Sequence, residues 1–208
     1  MLLLPLYKNG TMGKTHSEIE NTLKRKKKGN LIFPTDFRGV GSEAAIKMAL
    51  NRLNKENTIK RIAHGIYLIP KIDPLFGTIL PSPEEVAEAL AKKEKVKIKP
   101  AGAYALHKLG LTTQVPTKLV YLTDGSPREF KMGKTIIKFK ATTSKKLAMT
   151  GPYSSLIIQA LEELGTENID EQTESKIKTL LRKESPALLL NDLKLAPAKI
   201  NDYIIKLL

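Results

Sequence analysis

The stretch TIKRIAHGIYLIP, residues 58–70, decides the reading of the first third of the chain. Apolar and β-branched residues flank Gly65, so the segment predicts two short strands joined by a glycine turn. Ile59 and Arg61 fall on one face of the first strand, and Lys60 and Ile62 on the other. Lys60, Arg61 and His64 gather near the turn. Such a hairpin is either an ordinary one with a solvated edge or one built to touch phosphate, and the segments before it decide between the two.

Working backwards, SEAAIKMALNRLNKE, residues 42–56, reads as a helix capped by Ser42. Ile46, Ala49, Leu50 and Leu53 share a narrow arc at the helical period and form the buried stripe. Ala44, Lys47, Met48, Asn51 and Lys55 point away from it, with Arg52 on the flank. LIFPTDF, residues 31–37, gives a short extended piece and then a brief helix opened by Pro34 or Thr35, broken by Gly39 and Gly41. A first helix is expected at about 16–28, with Ser17 and Glu20 at capping-box spacing, Ile19 and Leu23 on its buried face and Gly29 after its end. It closes in KRKKK, Lys24 to Lys28, which suits the helix dipole as a solvated end and equally suits phosphate. The order helix, short helix, helix, hairpin is that of a winged helix-turn-helix.

Charge supports that direction. The chain has 208 residues and a formal net charge of +14, an excess that draws polyanions. Residues 1–80 carry 14 basic and 6 acidic side chains, residues 81–151 carry 14 and 6, and residues 152–208 carry 7 and 9, so the C-terminal quarter is not a phosphate-binding region. In a winged helix-turn-helix the last helix enters the major groove and the flanking parts grip phosphate. That places Lys47, Asn51, Arg52 and Lys55 towards bases and backbone and Lys60, Arg61 and His64 along the wing, with Lys26, Lys27 and Lys28 as additional phosphate contacts. Asn51 suits an adenine edge, and Lys47 or Arg52 a guanine. Every amphipathic helix has a polar face; the motif order and the basic hairpin are what raise this one above a merely solvated surface.

Further along, IDPLFGTILPSPEE, residues 72–85, is rich in Pro and Gly and reads as a linker. Pro83 opens a helix with Val86, Ala87, Leu90 and Ala91 on one side. KVKIK, residues 95–99, alternates like a half-exposed strand, and Pro100 opens a helix closed by Gly110. KLVYLTDG, residues 118–125, and REFKMGKTIIKFKAT, residues 128–142, read as a strand and a hairpin turning at Met132-Gly133; Ile137 and Phe139 face one way, Lys138 and Lys140 the other. Four apolar-striped helices follow. The basic middle segment, Lys131, Lys134, Lys138, Lys140, Lys145 and Lys146, extends a nucleic-acid footprint, meets an acidic protein, or solvates a sheet edge; the pattern does not choose.

No catalytic or metal constellation emerges. There is no cysteine, which removes disulfides, thiolate metal sites and thiol nucleophiles. His16, His64 and His107 lack ligand-spaced partners. Two GKT tripeptides, at residues 13–15 and 133–135, lack the glycine five residues earlier that a phosphate loop needs; Lys8 and Arg128 stand there. Asp124-Gly125 is a turn signal, and Glu84, Glu85 and Glu88 suit a helix N-terminus. No cofactor is expected, and no run is long enough for a signal peptide or a membrane span. MLLLPLY opens an apolar leader, residues 1–14, expected to be poorly ordered, with Met12 as an alternative start.

The run IKRIAHGIYLIPKIDPLFG, followed by SPEEVAEALAKKEKVKIKPAGAYALHKLGLTTQVPTKLVYLTDGSPREFKMGKTIIKFK, resembles the AbiEi-like antitoxins of type IV toxin–antitoxin systems. Arg61-Ile62, Gly65-Ile66-Tyr67, Pro100 to Gly102, Gly110-Leu111-Thr112, Gln114-Val115-Pro116 and Tyr121 to Gly125 carry it, from about Ser17 to the C-terminus. The resemblance implies a winged helix-turn-helix at 15–72 that represses its own operon on double-stranded operator repeats, with Arg61, Lys47, Asn51 and Arg52 at DNA-reading positions. It implies a domain at 82–208 that counters a nucleotidyltransferase toxin, with direct contact left open, and no catalytic residue carries over. The lack of cysteine fits the reducing cytoplasm, the expected location. The fold class expected is α+β: the winged helix-turn-helix, then a mixed α/β domain with a small sheet and a helical tail. The competing expectation is a winged-helix regulator whose second domain senses a ligand or dimerises, with no toxin partner. A nucleic-acid-processing enzyme would need clustered carboxylates or a metal set that the chain does not display.

Overall fold

The computed structural model describes residues 10–167 and 169–208, with side chains from Gly13 onward. The fold is mixed α+β, and the chain divides between Val86 and Ala87 into two units.

The first unit opens with α1 (Gly10–Lys24). Its Ile19 and Leu23 are buried, as their spacing predicts. Its bounds differ from the expected 16–28 at both ends. Residues 10–14 of the expected leader are helical, while residues 1–9 lie outside the described residues. Ser17 is interior to the helix, where its hydroxyl donates to the Gly13 carbonyl at 3.0 Å instead of capping anything. The helix stops at Lys24, which pairs with Glu20 at 2.7 Å, because the next residues must turn into the sheet: the Gly29 N–H donates to the Ile69 carbonyl at 2.8 Å. Continuing the helix would also stack four further cations on like charge.

A short strand β1 (Leu31–Ile32), a 3₁₀ turn (Pro34–Phe37) and α2 (Glu43–Lys55) follow, then β2 (Lys60–Ala63) and β3 (Ile66–Leu68). These strands form an antiparallel sheet in the order β1-β3-β2. The core joins Ile19, Leu23, Phe37, Ile46, Leu50, Leu53 and Ile59 from the helices and loops to Ile32 and Tyr67 of the sheet. The expected pairing of Ile59 with Arg61 on one face does not hold. Ile59 is buried before the strand begins, Arg61 is exposed, and the register slips between Arg61 and Ala63, so strict alternation is lost.

The segment read as a linker contains a second hairpin, β4 (Lys71–Asp73) and β5 (Gly77–Ile79). Asp73 closes its turn by accepting the N–H groups of Leu75 and Phe76 at 2.9 and 3.1 Å, which holds its carboxyl below the usual aspartate range. Leu75 and Phe76 are 86% and 83% exposed, so no core pattern marks this hairpin in the sequence.

α3 (Pro83–Glu94) begins in a reciprocal cap, Ser82 with Glu85. The second unit then builds a four-stranded sheet from β6 (Ile98–Ala101), β7 (Lys118–Thr123), β8 (Arg128–Met132) and β9 (Thr135–Ala141), in the order β6-β7-β9-β8. Pro100 lies within β6 and does not open a helix. An edge strand tolerates the missing N–H, and Gly102, at φ +61°, turns the chain into α4 (Ala103–Lys108). One sheet face packs Tyr104, Tyr121, Phe139 and Phe130 in a chain of ring contacts, with the Arg128 guanidinium 5.1 Å from the Phe139 ring centre.

Beyond the short α5 (Ser144–Leu147) come α6 (Ser154–Leu164), α7 (Glu171–Leu181), α8 (Pro186–Leu195) and α9 (Ala198–Leu207). They share a core of Ile157, Ile158, Leu161, Ile177, Leu181, Leu193 and Ile204. Two buried carboxylates lock the entry to α6. Asp192 accepts the Thr150 and Gly151 N–H groups at 2.8 and 2.9 Å, and Glu184 accepts those of Tyr153 and Ser154 at 2.8 and 2.9 Å.

Candidate nucleic-acid interface

Ser42 caps α2 by accepting the Ala45 N–H at 3.2 Å, and Ile46, Ala49, Leu50 and Leu53 are buried, as the period predicts. Lys47, Asn51, Arg52 and Lys55 are therefore exposed on the opposite side. The entry to α2 is fixed by a close approach. A Cβ on Gly41 would lie 2.5 Å from Thr15 Oγ1, whose hydroxyl donates to the Val40 carbonyl at 3.2 Å. Only glycine lets the turn before α2 sit against α1 there.

The far end of α2 is tied to the hairpin. Asn57, at φ +56°, reverses the chain, and the Thr58 N–H returns to the Leu53 carbonyl at 2.9 Å. Asn54 Oδ1 accepts the Arg61 N–H at 2.7 Å. Lys55 and Lys60 thus flank one short connection, and Lys60, Arg61 and His64 are all exposed. Gly65, at φ +70°, makes the turn. Arg61 curls over it: Nε donates to the Ala63 carbonyl at 3.4 Å, and Nη2 lies 3.1 Å from His64 Nδ1. Exposed cations thus stand on the helix face, at Lys55 and Lys60 on either side of the connection, and at the turn, with one exposed carboxylate, Glu56, among them.

Two features modify this surface. Lys47 Nζ lies 2.6 Å from Glu43 Oε1, and the ammonium holds the Glu43 carboxyl below the usual glutamate range, so Lys47 is already partly neutralised. Lys26, Lys27 and Lys28 are exposed but stand apart from the turn at Gly65. Residues 29–30 pair with Ile69, at the open end of the β2–β3 hairpin, a strand's length from His64.

Arg38 was not singled out by charge pattern alone. It is exposed and lines a cleft of about 280 Å³ with Thr35, Gly39 and Glu43, beside the first turn of α2. The legible signal is its place in the Gly39–Gly41 connection between two helical elements.

The remaining motifs are structural. Gly13-Lys14-Thr15 is inside α1, and Gly133-Lys134 forms the β8–β9 turn with Thr135 opening β9. Asp124 accepts the Lys97 N–H at 2.8 Å. Among the described residues no group of three or more His, Asp or Glu side chains is placed to hold a metal ion, and no helix is long and apolar enough to cross a membrane.

Fold and surface together define an α+β protein of two units, the first with a cationic helix-and-hairpin face. Residues 18–189 match the family described as Family of unknown function (DUF6088), and the chain belongs to that family. No curated protein matches it.

Proposed function

We propose that the first unit is a winged helix-turn-helix that binds double-stranded operator DNA, with α2 in the major groove and the β2–β3 hairpin as the wing. The observation that carries this reading is the Asn54–Arg61 bond at 2.7 Å. It ties the end of α2 to the first strand of the hairpin, a coupling that suits groove reading with flanking phosphate contact. Lys47, Asn51 and Arg52 address base edges, with Lys55, Lys60, Arg61 and His64 on the backbone. Lys26, Lys27 and Lys28, displaced to the other end of the sheet, reach phosphate only where the duplex extends that far.

On this reading the protein is a binding protein and not an enzyme, working in the cytoplasm as an autorepressing antitoxin of the AbiEi-like type. Its second unit counters a nucleotidyltransferase toxin. A groove between the second unit's four-stranded sheet and α6, lined by Val120, Leu122, Lys138 and Lys140 among others, supports a second reading, a winged-helix regulator that senses a ligand and has no toxin partner. A gel shift of the full chain on its own upstream DNA tests the DNA reading. Arg61→Ala should weaken binding on every sequence and reduce the salt slope by about one, while Asn51→Ala should cost about 1–3 kcal/mol at one base position. Unchanged affinity in both variants sinks the assignment. Rescue of cells expressing an adjacent nucleotidyltransferase separates antitoxin from plain regulator.

A further inference from the structure

The second unit carries a groove of about 950 Å³ between one face of its four-stranded sheet and α6. That size is within the usual range for small-ligand sites. Strand alternation sends Val120 and Leu122 to its floor, and the parallel β7–β9 register sets Lys138 beside Val120 and Lys140 beside Leu122. Small residues, Ala101 and Gly102 among them, keep the space open.

Two independent observations mark it as a binding site. The first is polarity. Lys118, Lys138 and Lys140 stand on the sheet side, and Glu162 and Glu163 on the helix side. Lys118 and Lys138 share Glu129 at 3.0 and 4.0 Å, and Lys146 is held by Glu162 at 2.5 Å. Lys140 has no carboxylate partner among the described residues and is exposed. The second is Gln159. It lines the groove, is 2% exposed, and its amide nitrogen has no hydrogen-bond partner among the described residues. A buried donor of this kind is unfavourable until an acceptor is supplied.

We propose that this groove binds a nucleoside phosphate: phosphate on Lys138 and Lys140, base against Val120 and Leu122, hydroxyl or amino groups towards the carboxylates Glu162 and Glu163, and a carbonyl or ring-nitrogen acceptor towards the Gln159 amide. A simple anion would leave the apolar floor and the acidic wall unused. A nucleic-acid strand would need aromatic platforms, and none of the described residues lining the groove is aromatic. Its continuous backbone would also meet Glu162 and Glu163. The site is built from the second unit alone and stands whether or not the first unit binds DNA.

The test is calorimetric titration of the full chain at physiological salt with ATP, GTP, CTP and UTP. Inorganic pyrophosphate and a single-stranded RNA of about ten nucleotides serve as comparators. At least one nucleotide should bind about tenfold more tightly than pyrophosphate or RNA. Lys140→Ala should weaken it about tenfold, Glu163→Gln should remove the preference over pyrophosphate, and a Lys26→Ala, Lys27→Ala, Lys28→Ala variant should bind as the parent does. A gel shift on Lys140→Ala should be unchanged, which keeps this result apart from the DNA reading. The proposal is overturned if no nucleotide binds, if pyrophosphate or RNA binds as tightly, or if the 26–28 variant loses as much affinity as Lys140→Ala. Loss of DNA binding in Lys140→Ala would equally overturn the assignment of Lys140 to a nucleotide.

Discussion

Asn54 Oδ1 accepts the backbone N–H of Arg61 at 2.7 Å, so the last turn of α2 and the start of β2 move as one piece. Asn54→Ala should lower stability by about 0.5–1.5 kcal/mol, read from urea unfolding, since one bond is lost near the surface. On operator DNA the same variant should lose affinity although Asn54 itself contacts no base, because helix and hairpin are no longer held in register. Equal affinity for parent and variant would show that the bond positions nothing.

Glu43 engages Lys47 at 2.6 Å, with both side chains exposed. A fully exposed i,i+4 pair is screened by solvent and contributes little to stability, so Glu43→Gln should leave the melting curve nearly unchanged. It removes a negative charge from the proposed DNA face and frees a cation. Operator affinity should rise about two- to fivefold at low salt, with a steeper salt dependence. A fall in affinity would place the duplex elsewhere.

Burial tends to raise the Glu184 carboxyl, but the N–H groups of Ser154, Tyr153 and Ser185 and the Ser154 hydroxyl outweigh it, and the net shift is downward. A carboxylate depressed in the folded state stabilises above its unfolded pKa, and that contribution is lost as pH falls through the folded value. The melting temperature should therefore drop on acidification below the usual glutamate range near pH 4. Glu184→Gln should flatten that acid limb while lowering stability at neutral pH by about 1–3 kcal/mol, since buried N–H groups lose a charged acceptor. An acid limb identical in both proteins would assign the effect to other carboxylates.

Leu75 and Phe76 are almost fully exposed at the β4–β5 turn. Replacing both with Ser should change stability by less than about 0.5 kcal/mol in thermal melts, because no core contact is removed. A larger loss would mean that the turn is buried in solution.

These elements also show where the sequence was informative. The stripe Ile46, Ala49, Leu50, Leu53 was legible because helix burial repeats every three to four residues, and burial follows it residue for residue. Lys138 and Lys140 were placed correctly opposite Ile137 and Phe139 by the period of two. Ser17 misled because a capping box and a mid-helix hydroxyl have the same spacing, and only the chain before it distinguishes them. Pro100 misled because proline opens helices and also sits in edge strands, and edge position is a property of the sheet order. The β4–β5 hairpin rests on an aspartate turn with no buried face, so hydrophobic periodicity could not report it. The Lys26–Lys28 run was visible as charge, but its distance from His64 depends on strand pairing that charge does not encode.

The parallel pairing of β7 with β9 sets the order in which the second unit can close during synthesis. When β7 leaves the ribosome, β6 can cover one of its edges at once, but the other stays bare until residue 141 has been made. A chain stalled or clipped between β7 and β9 would present the unpaired edge of LVYLT, residues 119–123, to its neighbours. Such an edge, apolar and uncharged, is a template for aggregation. Completing the β8–β9 hairpin finishes the sheet and also conceals its stickiest strand.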